Sequence, residues 1–153
     1  MKYVSTLFVL GLAALSIAAA QPVPPELAAL IARVRLDGPV AAWCRGEFRS
    51  GHPGAFAVAV TSPAGGGRYV VLDSDGTATE LGAFKRSADL SCYSRAQAEE
   101  LDVAISRSDT VHGKIAPRWS TTVVCAFIDD TTAACWQYSP ADRTFVQVGQ
   151  WVT

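Results

Sequence analysis

The sequence predicts an α+β fold: two tandem helix-plus-four-strand units forming a mostly antiparallel sheet with helices on one face. Three features point there. Apolar residues fall at helical spacing in two places, short apolar runs bounded by turn residues fill the remainder, and the first and second halves of the chain correspond. Half of the 153 residues are apolar and 18% are charged, with 13 Lys plus Arg against 14 Asp plus Glu. That composition excludes a disordered or low-complexity chain. The near-zero net charge argues against a phosphate-driven nucleic-acid binder, which carries a basic patch, so no nucleic acid is expected as a partner.

Lys2, the apolar stretch from Val4 to Ala20 and the closing Ala18, Ala19 and Ala20 have the charged start, short hydrophobic middle and small-residue end of a secretory signal peptide. Residues 1–20 are therefore set aside. Residues 21–153 are expected to form a single secreted or periplasmic domain with no retained membrane segment.

After Pro22, Pro24 and Pro25, the apolar residues Leu27, Leu30, Ile31 and Val34 follow the i, i+3, i+4, i+7 pattern of an amphipathic helix, which Asp37-Gly38-Pro39 ends. Four strands are predicted next, Val40 to Cys44, Ala55 to Thr61, Arg68 to Asp73 and Thr77 to Phe84. Gly51-His52-Pro53-Gly54, Gly65-Gly66-Gly67 and Asp73-Ser74-Asp75-Gly76 separate them with turn chemistry. Ser94 with Gln97 three residues later makes a capping box, and Ala98, Leu101 and Ile105 form one face of the second helix. Lys114 to Ala116, Thr121 to Ile128, Ala133 to Tyr138 and Thr144 to Val152 complete the predicted strands.

Aligned at an offset of 67, Phe56 to Phe84 runs without a gap onto Val123 to Trp151, pairing Asp75 with Asp142, Thr77 with Thr144 and Gly82 with Gly149. Repeats over 24–86 and 94–153 are the expectation. In layout this is similar to the tandem helix-plus-four-strand architecture of secreted β-lactamase inhibitory proteins, whose repeats each carry an additional helix. The resemblance is one of layout and transfers no residues. It implies a binding module.

The four cysteines, Cys44, Cys92, Cys125 and Cys135, suit two disulfides in an exported chain. Cys125 and Cys135 flank Asp129-Asp130-Thr131-Thr132 in a predicted hairpin and can meet across it, leaving Cys44 with Cys92. Another register would put them on opposite faces and forbid that pairing. With no C-x-x-C pair, and with His52 and His112 unlike finger ligands in spacing, no zinc site is expected. The Asp73–Gly76 stretch opens like a calcium loop, but Phe84 stands where the bidentate Glu is needed. Gly65-Gly66-Gly67 lacks the Lys and Ser/Thr of a phosphate cradle. No cofactor is expected.

If both helices cover one side of the sheet, the other is open. Val146 and Val148 suit the covered side with Leu81, while Phe84, Phe145 and Trp151 then fall opposite, with Trp136 and Tyr138 beside them. Such an aromatic face suits a protein partner; the competing role for the same side chains is a second core layer. Arg118 and Trp119, beside Pro117, pair a carboxylate-binding fork with a flat apolar surface. The predicted contact residues are thus Arg118, Trp119, Trp136, Tyr138, Phe145 and Trp151, in an exported module acting on a protein partner, an enzyme inhibitor being one form of that activity. The alternatives are a small secreted hydrolase with His112 as base near Ser108 and Asp109, and an envelope assembly or structural protein.

Overall fold

The computed structural model describes residues 21–86 and 88–153. The expected signal peptide lies outside the described residues. Among the described residues no helix is long and apolar enough to cross a membrane.

Helix α1 (Pro25–Val34) starts where its sequence starts it, with Pro25 at the first helical position, where the missing N–H is no loss. It stops at Arg35, whose left-handed backbone (φ 54°) turns its N–H back onto the last carbonyls. Helix α2 (Arg95–Ser106) carries the complete capping box: the Ser94 hydroxyl accepts from Gln97 N, and the Gln97 side chain accepts from Ser94 N.

The strands form two antiparallel sheets. In chain order they are β1 (Val40–Gly46), β2 (Ala55–Thr61), β3 (Gly67–Leu72), β4 (Ala78–Phe84), β5 (Leu90–Tyr93), β6 (His112–Ile115), β7 (Val123–Phe127), β8 (Thr132–Ser139) and β9 (Thr144–Val152). The first sheet has the order β1-β2-β3-β4 and the second β5-β7-β8-β9-β6.

This corrects the predicted fold class. The chain is mostly β, with two short helices and two sheets; it is not a pair of equivalent helix-plus-four-strand units sharing one sheet. Strand β5, absent from the sequence prediction, pairs with β7 in the place that β1 holds beside β2. The strand after α2, β6, is thereby sent to the far edge, against β9.

The helices also lie on different layers. Phe56, Val58, Val60, Val70 and Leu72 point from the first sheet to Leu27 and the rest of the α1 stripe. Val123, Cys125, Cys135 and Val148 point from the second sheet to Ala98 and Ile105 of α2. The remaining faces meet each other: Ala59, Tyr69 and Phe84 of the first sheet share a cluster with Ala126, Ala134 and Trp136 of the second. Ala55, Ala57 and Val71 meet Val124 in the same way. The order of layers is helix, sheet, sheet, helix, so the face expected to be open is covered by the other sheet. The layout likeness to the inhibitory proteins ends here too.

Small residues let the sheets approach. Ala55, Ala57 and Ala59 give β2 a low inner surface, and a Cβ on Gly82 would sit 3.4 Å from the Trp136 ring. Tyr69 spans the interface, its hydroxyl donating to the Phe127 carbonyl at 2.6 Å, with the Asp89 carbonyl at 3.3 Å. Burial pushes its pKa up to about 12, so it stays a donor throughout the physiological range.

Both cysteine pairs form. Cys44–Cys92 ties β1 to β5 and so staples one sheet to the other, while Cys125–Cys135 joins directly opposed residues of β7 and β8 beneath α2. Two disulfides fit an oxidising, non-cytoplasmic setting.

Candidate binding cleft

At one end of the sandwich, three connections surround a cleft of about 410 Å³. Each is held in place by a buried anchor. The β1–β2 connection is fixed by Phe48, which is fully buried and packs edge-on against Phe145 at 6.4 Å. Glu47 N donates to Thr122 Oγ1 (3.0 Å) and Thr122 N to the Glu47 carbonyl (2.9 Å), so this connection is joined to the segment that precedes β7.

That second segment, 117–122, is organised by Gln137 of β8. The Gln137 side chain is fully buried. Its Oε1 accepts from Arg118 N (2.9 Å) and Trp119 N (3.2 Å), and its Nε2 donates to the carbonyls of Trp119 and Thr121, both at 2.9 Å. One amide thus meets the hydrogen-bonding needs of a bend that has no strand partner. It sets Trp119 half-buried against the α2 cluster, one edge forming the cleft wall.

The third connection, 140–143, joins β8 to β9. Ser139 is buried; its hydroxyl donates to Asp142 Oδ2 (2.7 Å) and accepts from Asp142 N (3.2 Å). The connection ends on Arg143 in the left-handed region, φ 53°. That conformation costs an ordinary L-residue roughly 1–2 kcal/mol. Arg143 and Pro140 complete the lining, together with Arg49, Ser50, His52, Ser120, Thr121 and Tyr138.

Electrostatically the two arginines differ. Arg49 forms an ion pair with Asp73, has Asp75 at 4.0 Å and stacks its guanidinium over the Tyr138 ring at 5.2 Å. Asp73 is 1% exposed, and burial raises its carboxyl above the usual carboxylate range against the pull of the Arg49 charge and hydrogen bond. Its Oδ1, like Arg49 Nε, is buried without a partner among the described residues. Asp75 is held low by hydrogen bonds from Thr77, the hydroxyl first and the backbone N–H next. Arg143, by contrast, has no ion pair or hydrogen bond to its side chain among the described residues, and the cleft lining contains no Asp or Glu. The arrangement offers two aromatic walls, hydroxyl donors and, in Arg143, a guanidinium without an ion pair among the described residues.

The six residues singled out in the sequence are thus dispersed. Trp119 and Tyr138 come together in the cleft, with exposed Arg118 next to them. Trp136, 8% exposed, and Phe145 sit in the clusters between the sheets. Trp151 is on the α2 side of the second sheet, edge-on to Phe127 at 6.1 Å. A β-bulge moves it there: Gln147 pairs with Trp136 and Gly149 with Cys135, leaving Val148 extra and reversing the alternation beyond it. His112 is exposed on the edge strand β6. Among the described residues it has no hydrogen bond to Ser108 or Asp109, and the Ser108 hydroxyl accepts from Thr110 N and Val111 N in the turn after α2.

A larger groove, about 580 Å³, lies by the β2–β3 turn. Its lining is mainly turn backbone and small side chains, and its one arginine, Arg68, is paired with Glu80 at 3.6 Å. Among the described residues no three His, Cys, Asp or Glu side chains are gathered as metal ligands. No protein-family model, curated protein or solved structure matches the chain.

Proposed function

We propose that the protein is an exported, disulfide-stapled binding module of the cell envelope or its surroundings that acts on a protein partner through the cleft between residues 49–52, 119–121 and 138–143. Export is supported by the signal-like N-terminal sequence together with the two disulfides. The observation that carries the binding role is the meeting of Trp119 and Tyr138, from separate parts of the chain, in one cleft whose lining holds two arginines and no Asp or Glu. Aromatic and arginine side chains gathered at a partly exposed, rigidly anchored site have the composition of interface hot spots. In this reading Arg118, Trp119 and Tyr138 contact the partner, while Trp136 and Phe145 pack between the sheets and Trp151 packs on the α2 side. The module works by occupancy alone, and blocking an enzyme's active site is one form that such occupancy takes.

Photo-crosslinking in the exporting cell tests this. A photoreactive phenylalanine analogue is placed at exposed Arg118, beside the cleft, and at exposed Lys85, beyond the far end of β4. The expected result is a discrete protein adduct from position 118 that is absent from position 85. The same adducts from both positions, or none from 118, would overturn the reading. An adduct with peptidoglycan or outer-membrane assembly machinery would assign the chain to envelope construction instead.

A further inference from the structure

The two sheets contain a matched pair of four-residue turns, 73–76 within the β3–β4 connection and 140–143 between β8 and β9, related by the offset of 67. Each ends on a left-handed residue. In the first it is Gly76, φ 88°; in the second it is Arg143, φ 53°. Glycine is the low-cost residue for this backbone, and the same chain uses it in the equivalent turn. At 140–143 the strain is accepted and a long cationic side chain is obtained. That side chain lines the cleft with no partner among the described residues.

The rest of the cleft narrows what Arg143 can hold. The charge on Arg49 is opposed by Asp73 and Asp75, whereas the Arg143 guanidinium forms no ion pair among the described residues. A single planar fork matches a single carboxylate, which it can hold through two parallel hydrogen bonds. Phosphoryl groups are more often read by clusters of arginines. The lining is also shallow: Ser50, Ser120, Pro140 and Arg143 are exposed, and Trp119 and Tyr138 only half-buried. A small metabolite is normally enclosed on most of its surface, whereas a side chain projecting from a docked protein need not be.

Building on the binding-module reading, we infer that the cleft is a carboxylate reader: it accepts an Asp or Glu side chain of the partner on Arg143, with the partner's neighbouring residue laid against Trp119 and Tyr138.

The test uses the oxidised protein and two N-acetylated, C-amidated peptides, Gly-Glu-Tyr-Gly and its Gln counterpart, with sodium acetate as a third probe. Affinities come from NMR titration of the Trp119 indole and the Arg143 Nε–H. The Glu peptide is expected to bind about threefold to fivefold more tightly than the Gln peptide, the scale of a solvent-exposed ion pair. In Arg143→Gly that preference should vanish while the melting temperature holds or rises, because glycine relieves the left-handed backbone. Arg143→Lys should keep part of the preference. Equal affinity for the two peptides, both shifting Trp119, would overturn the carboxylate inference and leave the cleft reading standing. No shift at Trp119 with either peptide would overturn both. Acetate binding as tightly as the Glu peptide would make this a small-anion site and overturn the assignment to a protein side chain.

Discussion

The two disulfides close loops of very different length, which makes their contributions separable. Cys44–Cys92 spans 48 residues and Cys125–Cys135 spans 10. If each acts by restricting the unfolded chain, loop-closure entropy gives about 4 kcal/mol for the first and about 2.7 kcal/mol for the second. Replacement by alanine alone would blur the comparison, since Cys125 and Cys135 are buried at 3% and 0% exposure and truncation leaves a cavity. The cleaner perturbation is reduction, which removes no atoms apart from the bond. Urea unfolding of Cys125→Ala/Cys135→Ala with and without a phosphine reductant isolates the long loop, and Cys44→Ala/Cys92→Ala isolates the short one. With a urea slope of about 2 kcal/mol/M, midpoints should fall by about 2 M and about 1.3 M respectively. The long loop also joins the sheets, so a loss near the upper figure is expected there. Equal losses, or a greater loss for the ten-residue hairpin loop, would refute the reasoning.

Other consequences follow from buried polar groups. Gln137→Leu should lower stability by about 2–3 kcal/mol, because the backbone groups of 118–121 lose their partner, and Trp119 fluorescence should become more accessible to quenchers in the folded state. Tyr69→Phe should cost about 1–2 kcal/mol in urea titration by leaving the Phe127 carbonyl unpaired between the sheets, with little change in volume. Asp73 binds its proton more tightly in the folded protein than at the ordinary value of 3.8, so its contribution favours folding as pH falls; the stability of wild type relative to Asp73→Asn should rise as pH is lowered toward 3.8 and level off below it. Asp75 and Asp129 are held low by hydrogen bonds in their turns, so their contributions are present above 3.8 and disappear as pH falls through their folded-state values. Thermal melts of single Asn variants at stepped pH would read both signs.

Much of the local structure is legible in the sequence because local rules decide it. The Leu27, Leu30, Ile31, Val34 stripe and the Ser94–Gln97 box produce α1 and α2, and the turn residues bound most strands. The layering was legible as well, through a signal that the single-sheet prediction passes over. Ala55-Phe56-Ala57-Val58-Ala59-Val60 does not alternate apolar with polar, as a strand with one wet face does; it alternates small with large, and all six residues are buried. Val123-Val124-Cys125-Ala126 is likewise an unbroken apolar run, buried throughout. Strand β5 has only the residues Leu90–Tyr93, too short for a period to show, yet its place beside β7 decides the topology of the second sheet. The bulge at Val148 is set by pairing across strands, and it alone sends Trp151 to the other face. The cleft was half legible. Trp119 stands out by composition, but Arg49 and His52 reach it only through the anchoring of Phe48 and the Glu47–Thr122 hydrogen bonds, across more than 60 residues of sequence. Arg143 could have been found by asking what occupies the position of Gly76 in the matching turn.

The most direct measurement of the proposed binding cleft follows the indole N–H resonances of the four tryptophans while a protein crosslinked from position 118 is added. The Trp119 signal is predicted to shift or broaden to saturation while that of Trp136, enclosed between the sheets, stays in place. A saturating response at Trp43 or Trp151 with Trp119 unmoved would place recognition elsewhere on the molecule and contradict the cleft.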